Sequence, residues 1–145
     1  MITPRQKQLV QTSFAKVVPI SEPAANLFYA RLFALDPTLK PLFKGDMKEQ
    51  GRKLMRTLAV AVNGLDNFEQ IVSTVQDLGR KHVGYGVESK HYDTVGAALL
   101  WTLEQGLGAS FTKETEEAWG AVYTLLATTM MEAAYGAQPV AMVRA

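Results

Sequence analysis

The chain has 145 residues, a usual length for one domain, and 48% of them are hydrophobic, so a sizeable core can form. Lys and Arg number 15 against 14 Asp and Glu, and this balance gives no electrostatic reason to expect nucleic acid or an acidic membrane as partner. The absence of cysteine excludes disulfides, thiolate metal sites and cysteine nucleophiles. Two histidines are too few for a histidine-built zinc site without carboxylates.

No basic and then apolar leader opens the sequence, and no apolar run approaches the roughly 20 residues that cross a bilayer. These features predict a soluble cytoplasmic protein. Apolar residues recur at helical spacing and nowhere alternate as in a strand. We therefore expect an all-α fold of six or seven helices over residues 1–136, followed by a flexible C-terminal tail at 137–145.

In the first part of the chain, Thr3 and Pro4 predict the start of a helix that Pro19 ends. Ser21 is expected to cap the second helix. The broad apolar face of that helix includes Tyr29. A buried tyrosine hydroxyl must find a partner within the protein or be offered to a ligand.

After a short turn, the pattern predicts a helix over residues 47–63, ended by Gly64. Phe43 lies just before it, at the mouth of a polar loop. Gln50 stands at the head of a stripe with four-residue spacing, followed by Leu54. A glutamine in contact with water at the rim of the core is the simpler alternative for Gln50.

Three further helices are expected in the second half, with Asp66, Ser89 and Thr112 as their caps. The first of these carries His82, four residues after Leu78 and on the same apolar side. An imidazole in that position suits a metal that needs one neutral nitrogen ligand. A half-buried histidine bonded to a backbone carbonyl is the alternative.

Motifs of common hydrolases and nucleotide-binding proteins are absent: the chain has no GxSxG, no P-loop and no HExxH. Four other residues stand out, each on or beside an apolar face of a different segment: Tyr29, Phe43, Gln50 and His82. One metal ligand and two neutral hydrogen-bond donors in an apolar pocket indicate a small polarisable ligand on a cofactor metal.

The order and spacing of these residues resemble a single-domain bacterial haemoglobin of the flavohaemoglobin lineage, over about residues 5–135. The matching segments are Leu27-Phe28-Tyr29-Ala30-Arg31-Leu32-Phe33, Asp36-Pro37, Leu42-Phe43, Gln50, Arg52-Lys53-Leu54-Met55, His82, Val87, His91-Tyr92, Val95-Gly96, Leu99-Leu100, Ala118-Trp119 and Tyr123. This resemblance implies a globin fold of six to eight helices around a haem b pocket.

The resemblance also implies residue roles. His82 is expected to be the proximal iron ligand, while Tyr29 and Gln50 donate hydrogen bonds to the bound gas. Leu54 forms the wall beside the gas. Side chains expected to contact the cofactor are Phe43, Leu54, His82, Val87 and Val95.

On the proximal side, Tyr92 is in place for the hydrogen-bond network of the flavohaemoglobins. In that family a glutamate accepts a hydrogen bond from the proximal histidine, but a gap-free match puts Ala134 at its position, with Glu132 two residues away. A backbone carbonyl is the alternative partner of His82. The second histidine, His91, is expected at the surface.

Reversible binding of O2, and of NO or CO, is the function that the resemblance implies first. The alternative is a nitric oxide dioxygenase that converts NO and bound O2 to nitrate, supplied with electrons by an external flavin and NAD(P)H reductase. A signalling globin and a haem-free helical domain are less well supported. We expect a monomer or a weak homodimer, with Lys53, Arg80 and Lys81 as candidates to pair with the haem propionates.

Overall fold

A computed structural model describes residues 2–43 and 45–136. Within this part of the chain all regular structure is helical, which confirms the predicted all-α fold. The predicted tail at 137–145 lies outside the described residues. The six α-helices are α1 (Pro4–Val17), α2 (Ser21–Leu35), α3 (Met47–Asn63), α4 (Phe68–Gly84), α5 (Ser89–Leu107) and α6 (Lys113–Tyr135). Short 3₁₀ segments cover Val18–Ile20, Pro37–Leu42, Gly64–Asn67 and Gly108–Ser110.

Several helix boundaries follow the sequence signals closely. The Thr3 side chain accepts a hydrogen bond from the backbone N–H of Gln6, and the Thr112 side chain accepts one from Thr115. The bounds of α3 are those predicted, with Gly64 at its C-cap. Local capping chemistry therefore decides these ends.

Three predicted caps are wrong, and two of them fail because a 3₁₀ turn precedes the helix. Ser21 is already helical, with φ −59° and ψ −39°, because it follows directly on the 3₁₀ segment Val18–Ile20. Asp66 lies inside the turn before α4, whose N-cap is Asn67. Ser89 is the first residue of α5, and Glu88 caps it. Propensity at one residue cannot reveal a preceding turn.

The core forms where α5 packs on α2, and where α6 packs on α1 and α4. Trp119 of α6 is 2% exposed, and its indole N–H donates to the Ser13 hydroxyl at 2.8 Å. That hydroxyl in turn donates to the carbonyl of Leu9 at 2.6 Å. The polar atom of this large buried side chain is therefore satisfied, and α1 and α6 are joined at a fixed position.

The contact between α4 and α6 requires a glycine. A Cβ added at Gly79 would lie 2.7 Å from the Cα of Met130 and would also meet the Met130 carbonyl oxygen. These are backbone atoms, which cannot move aside as a side chain can. Gly79 therefore sets how closely the backbones of the two helices approach, and with it the position of the end of α4.

Two helices keep much of their apolar surface uncovered. In α3, which packs chiefly on α2, the buried residues are Gly51, Ala61 and Val62; in α4, which packs chiefly on α6, they are Val75 and Gly79. Both helices are strongly amphipathic, yet most of their apolar side chains are only half-buried, so these side chains retain exposed surface. None of the described helices is both long and apolar enough to span a bilayer.

Replacing Gly79 by alanine should destabilise the fold, because the added methyl group meets the backbone of Met130. We expect the free energy of unfolding to fall by about 1–3 kcal/mol. Urea denaturation followed by circular dichroism measures the change.

Gly120 provides the matched control, because it is also helical but a Cβ there would have no neighbour within 4 Å. Gly120→Ala should leave stability unchanged or raise it by up to about 1 kcal/mol, since alanine loses less backbone entropy. Equal losses in the two variants would contradict the close α4–α6 contact.

Candidate functional site

His82 lies near the C-terminal end of α4 and is half-buried. Its Nδ1 is 2.7 Å from the carbonyl oxygen of Leu78, one turn earlier. A carbonyl only accepts, so Nδ1 carries the proton and Nε2 holds the lone pair. Burial lowers the pKa of His82, although the bond to Leu78 opposes the shift. The imidazole is thus held as a neutral ring with Nε2 as its basic atom.

The loop after His82 is attached to two other parts of the chain. The N–H of Val87 donates to the carbonyl of His82 at 3.0 Å. The Tyr135 hydroxyl, at the end of α6, donates to the carbonyl of Val87 at 2.6 Å. The helix end that carries His82 is therefore fixed from α6 as well as by its own turns. The sequence contained no pattern that pointed to Tyr135 in this role.

Tyr92, expected in a proximal network, is 5% exposed, and its hydroxyl has no hydrogen-bond partner among the described residues. Burial, with a smaller contribution from Tyr135, raises the pKa of Tyr92 to about 12, so the phenol stays protonated. The Tyr123 hydroxyl donates to the backbone carbonyl of Tyr92 at 2.6 Å. The structure thus places Tyr92 firmly but gives its hydroxyl no bond to His82.

The partner of His82 is the backbone carbonyl that the sequence left open as an alternative. Glu132, in the second half of α6, is exposed, and Ala134 is half-buried. A neutral carbonyl accepts a weaker hydrogen bond than a carboxylate does. His82 therefore receives less electron density through Nδ1 than it would with an acidic partner.

The expectation that His91 lies at the surface is wrong, since it is 6% exposed. Its Nδ1 accepts a hydrogen bond from the N–H of Glu88 at 2.9 Å, while the Glu88 side chain caps the start of α5 in return. Histidine at the third helical position is not part of the usual capping-box pattern. The sequence therefore gave no signal for this use of the side chain.

Tyr29 of α2 is buried, and its hydroxyl donates to the backbone carbonyl of Gln50 at 3.2 Å. Burial raises the pKa of Tyr29 to about 12, so the phenol remains a hydrogen-bond donor at physiological pH. Gln50 itself is half-buried in the first turn of α3. The structure therefore brings together the two polar residues that the sequence selected.

An aromatic cluster positions Tyr29 and Phe43. The ring of Phe43 meets Tyr29 edge to face at 5.3 Å and Phe33 at 5.4 Å between centroids. The ring of Phe28 contacts Tyr29 in the same way at 5.1 Å. Edge-to-face pairs at these distances are favourable beyond their buried area. Phe43, which follows a 3₁₀ turn, is thereby held against α2.

The remaining residues selected from the sequence are neither fully buried nor fully exposed: Leu54, Val87 and Val95 are all half-buried. Leu54 and Val95 pack against the core with part of their surface open. A neutral imidazole, a protonated phenol and partly covered apolar side chains fit a flat apolar cofactor with one metal atom. The buried hydroxyl of Tyr92, which lacks a hydrogen-bond partner among the described residues, is a further polar group in this part of the fold.

Comparison with known proteins gives one consistent family. The globin family model matches residues 26–130. The chain is 28% identical over 135 residues to a flavohemoprotein of Vibrio cholerae, a match that covers 91% of this chain and 34% of that protein. It is 29% identical over 143 residues to a neuroglobin of Danio rerio, covering 89% of this chain and 90% of that protein.

The structure is also similar to a solved bacterial globin from Campylobacter jejuni, with a TM-score of 0.79 and 27% identity over 91% of this chain and 96% of that one. The chain spans about a third of the length of the flavohemoprotein and most of the length of the neuroglobin. The family match covers well over half of the chain. The chain belongs to the globin family, whose members are haem proteins.

Proposed function

We propose that the chain binds haem b through Nε2 of His82 and reversibly binds O2, and also NO and CO. The observation that carries the proposal is the hydrogen bond from Nδ1 of His82 to Leu78. It orients the ring and keeps Nε2 deprotonated, which is what an iron ligand requires. Membership of the globin family supports the same role.

Haem supplies an iron atom with an open coordination position for a diatomic ligand. The side chains of this chain then exclude water and hold the ring. Phe43 is positioned by its contacts with α2 to pack on the porphyrin, and Leu54, Val87 and Val95 offer partly open apolar surface. Lys53, Arg80 and Lys81 are exposed, as partners of the propionates must be.

Tyr29 and Gln50 are the proposed distal donors. The Tyr29 phenol is protonated and lies against the first turn of α3, where Gln50 is located. Hydrogen bonds to a ligand that gains negative charge contribute about 1.5–3 kcal/mol. Two donors in one apolar space therefore favour slow release of O2.

The proximal side favours reversible binding over bond cleavage. The partner of His82 is the neutral carbonyl of Leu78, whereas Glu132 is exposed. Less electron donation through the histidine gives less help to breaking an O–O bond. We further propose that the protein acts in the cytoplasm as a monomer or weak homodimer, with residues 1–136 as its globin domain.

The visible spectrum of the haem-reconstituted protein tests the central proposal. The native chain should give a five-coordinate ferrous spectrum that becomes a lasting oxygenated form in air, and His82→Ala should lose that conversion. His91→Ala is the matched control, because His91 is bonded to Glu88, and it should retain the native spectrum. Haem uptake and spectra unaffected by His82→Ala would overturn the proposal.

Replacing Tyr29 by phenylalanine removes the hydroxyl while keeping the ring in the aromatic cluster. Loss of a hydrogen bond to a charged acceptor should speed O2 dissociation roughly 10- to 100-fold. Stopped-flow mixing of the oxygenated protein with CO measures the rate. Tyr85→Phe, at an exposed tyrosine near His82, should leave it unchanged; similar acceleration in both variants would remove Tyr29 from the distal site.

Nitric oxide dioxygenase activity is the second candidate, and similarity to the flavohemoprotein supports it. The same distal donors would orient O2 toward NO, and an external flavin and NAD(P)H reductase would return the iron to the ferrous state.

Addition of one equivalent of NO to the oxygenated protein separates the two functions. A dioxygenase should give stoichiometric nitrate and, with NAD(P)H and a flavin reductase, many turnovers. Nitrate from the first equivalent alone, with no sustained turnover, would leave reversible ligand binding as the function.

A further inference from the structure

A cavity lies apart from the residues assigned to the haem site. It has a volume of about 440 Å³ and lies between the end of α1, the first half of α2 and one face of α3. Apolar side chains on three elements line it, including Phe14, Ala25, Met55 and Ala59. Val18, 53% exposed, also lines it. Apolar surface thus continues from the interior toward solvent.

Charged side chains of mostly one sign also line this cavity. Lys48, Arg52 and Arg56 follow one another at four-residue spacing along α3, and Glu22 of α2 is the one carboxylate among the described residues that line the cavity. Glu49 pairs with Arg52 at 3.1 Å and with Arg56 at 3.7 Å but does not line the cavity. An anion at the rim would therefore meet three cations, two of which also pair with Glu49.

The cavity uses a different face of α3 from the haem site. Gly51 and Met55 line it, and each is one residue, or about 100° of helix rotation, beyond Gln50 and Leu54. Gly51 is buried, and a Cβ there would lie 3.1 Å from the side chain of Ala25. The close approach of α2 and α3 at this point forms the floor of the cavity.

We propose that this cavity binds a small organic anion with an apolar body, such as an aryl or medium-chain alkyl carboxylate. The apolar body would lie among Phe14, Met55 and Ala59, and the carboxylate would meet Arg52 and Arg56 at the rim. The volume lies within the roughly 300–1,000 Å³ of small-molecule sites. A methionine in the wall suits an apolar body of irregular shape.

Titration calorimetry with 2-naphthoate tests the proposal on the protein as purified. The native protein should bind one equivalent saturably and bind uncharged 2-naphthalenemethanol more weakly. Ala59→Phe, which fills the cavity, should weaken binding at least tenfold. Arg52→Gln and Arg56→Gln should each weaken it roughly two- to fivefold, as for exposed ion pairs.

Glu22→Gln gives a result that misfolding cannot imitate. Removing the one carboxylate of the lining should tighten naphthoate binding by a similar factor of about two to five. Arg5→Gln is the matched control, because Arg5 is an exposed cation that pairs with Glu114 at 3.1 Å and does not line this cavity, and it should leave the affinity unchanged.

Three results would overturn the proposal. They are the absence of saturable naphthoate binding, an affinity that Ala59→Phe does not change, and weaker binding in Glu22→Gln. Naphthoate that shifts the haem absorption band and is displaced by cyanide would place the anion at the haem and also overturn it. The calorimetric result does not depend on the His82→Ala spectra, so this proposal and the haem proposal can fail separately.

Discussion

The contact of α4 with the backbone of α6 at Gly79 is the constraint on which the candidate site depends. Because no side chain separates the helices there, α6 determines the position of the turn that carries His82 three residues later. Tyr135 at the far end of α6 then holds the loop after that turn. One helix therefore supports both the histidine and the segment that follows it, so the imidazole can be rigid although it is only half-buried.

The group formed by Tyr29, Gln50 and Phe43 is held by different elements. Tyr29 projects from α2, which packs on α5, and its hydroxyl reaches the first turn of α3. Phe43 packs against the same helix, α2, through ring contacts with Tyr29 and Phe33. His82 and Tyr29 are thus held by separate packed pairs of helices. The apolar faces of α3 and α4 keep uncovered surface.

Much of this arrangement was predictable from the sequence, because helical periodicity and strong end signals determine it. The bounds of α3 are an example. The carbonyl partner of His82 was left as an alternative, since it depends on a rotamer and on where Glu132 points. The use of His91 as a cap was missed, because histidine has no marked preference for that position. The turns before α2 and α4 arise from packing that one sequence does not display.

The bond between Tyr29 and the Gln50 carbonyl has a thermodynamic consequence for the proposed site. The Tyr29 hydroxyl has one proton to donate, so a gas molecule that accepts this hydrogen bond must displace the carbonyl of Gln50. The exchange forfeits a hydrogen bond with a net value of about 0.5–1.5 kcal/mol, which is roughly a two- to tenfold loss of affinity. The same bond links α2 to the first turn of α3 before any ligand arrives, so a ligand that takes the hydroxyl also removes this link between the two helices. Occupancy of the proposed site and the contact between α2 and α3 are therefore linked equilibria.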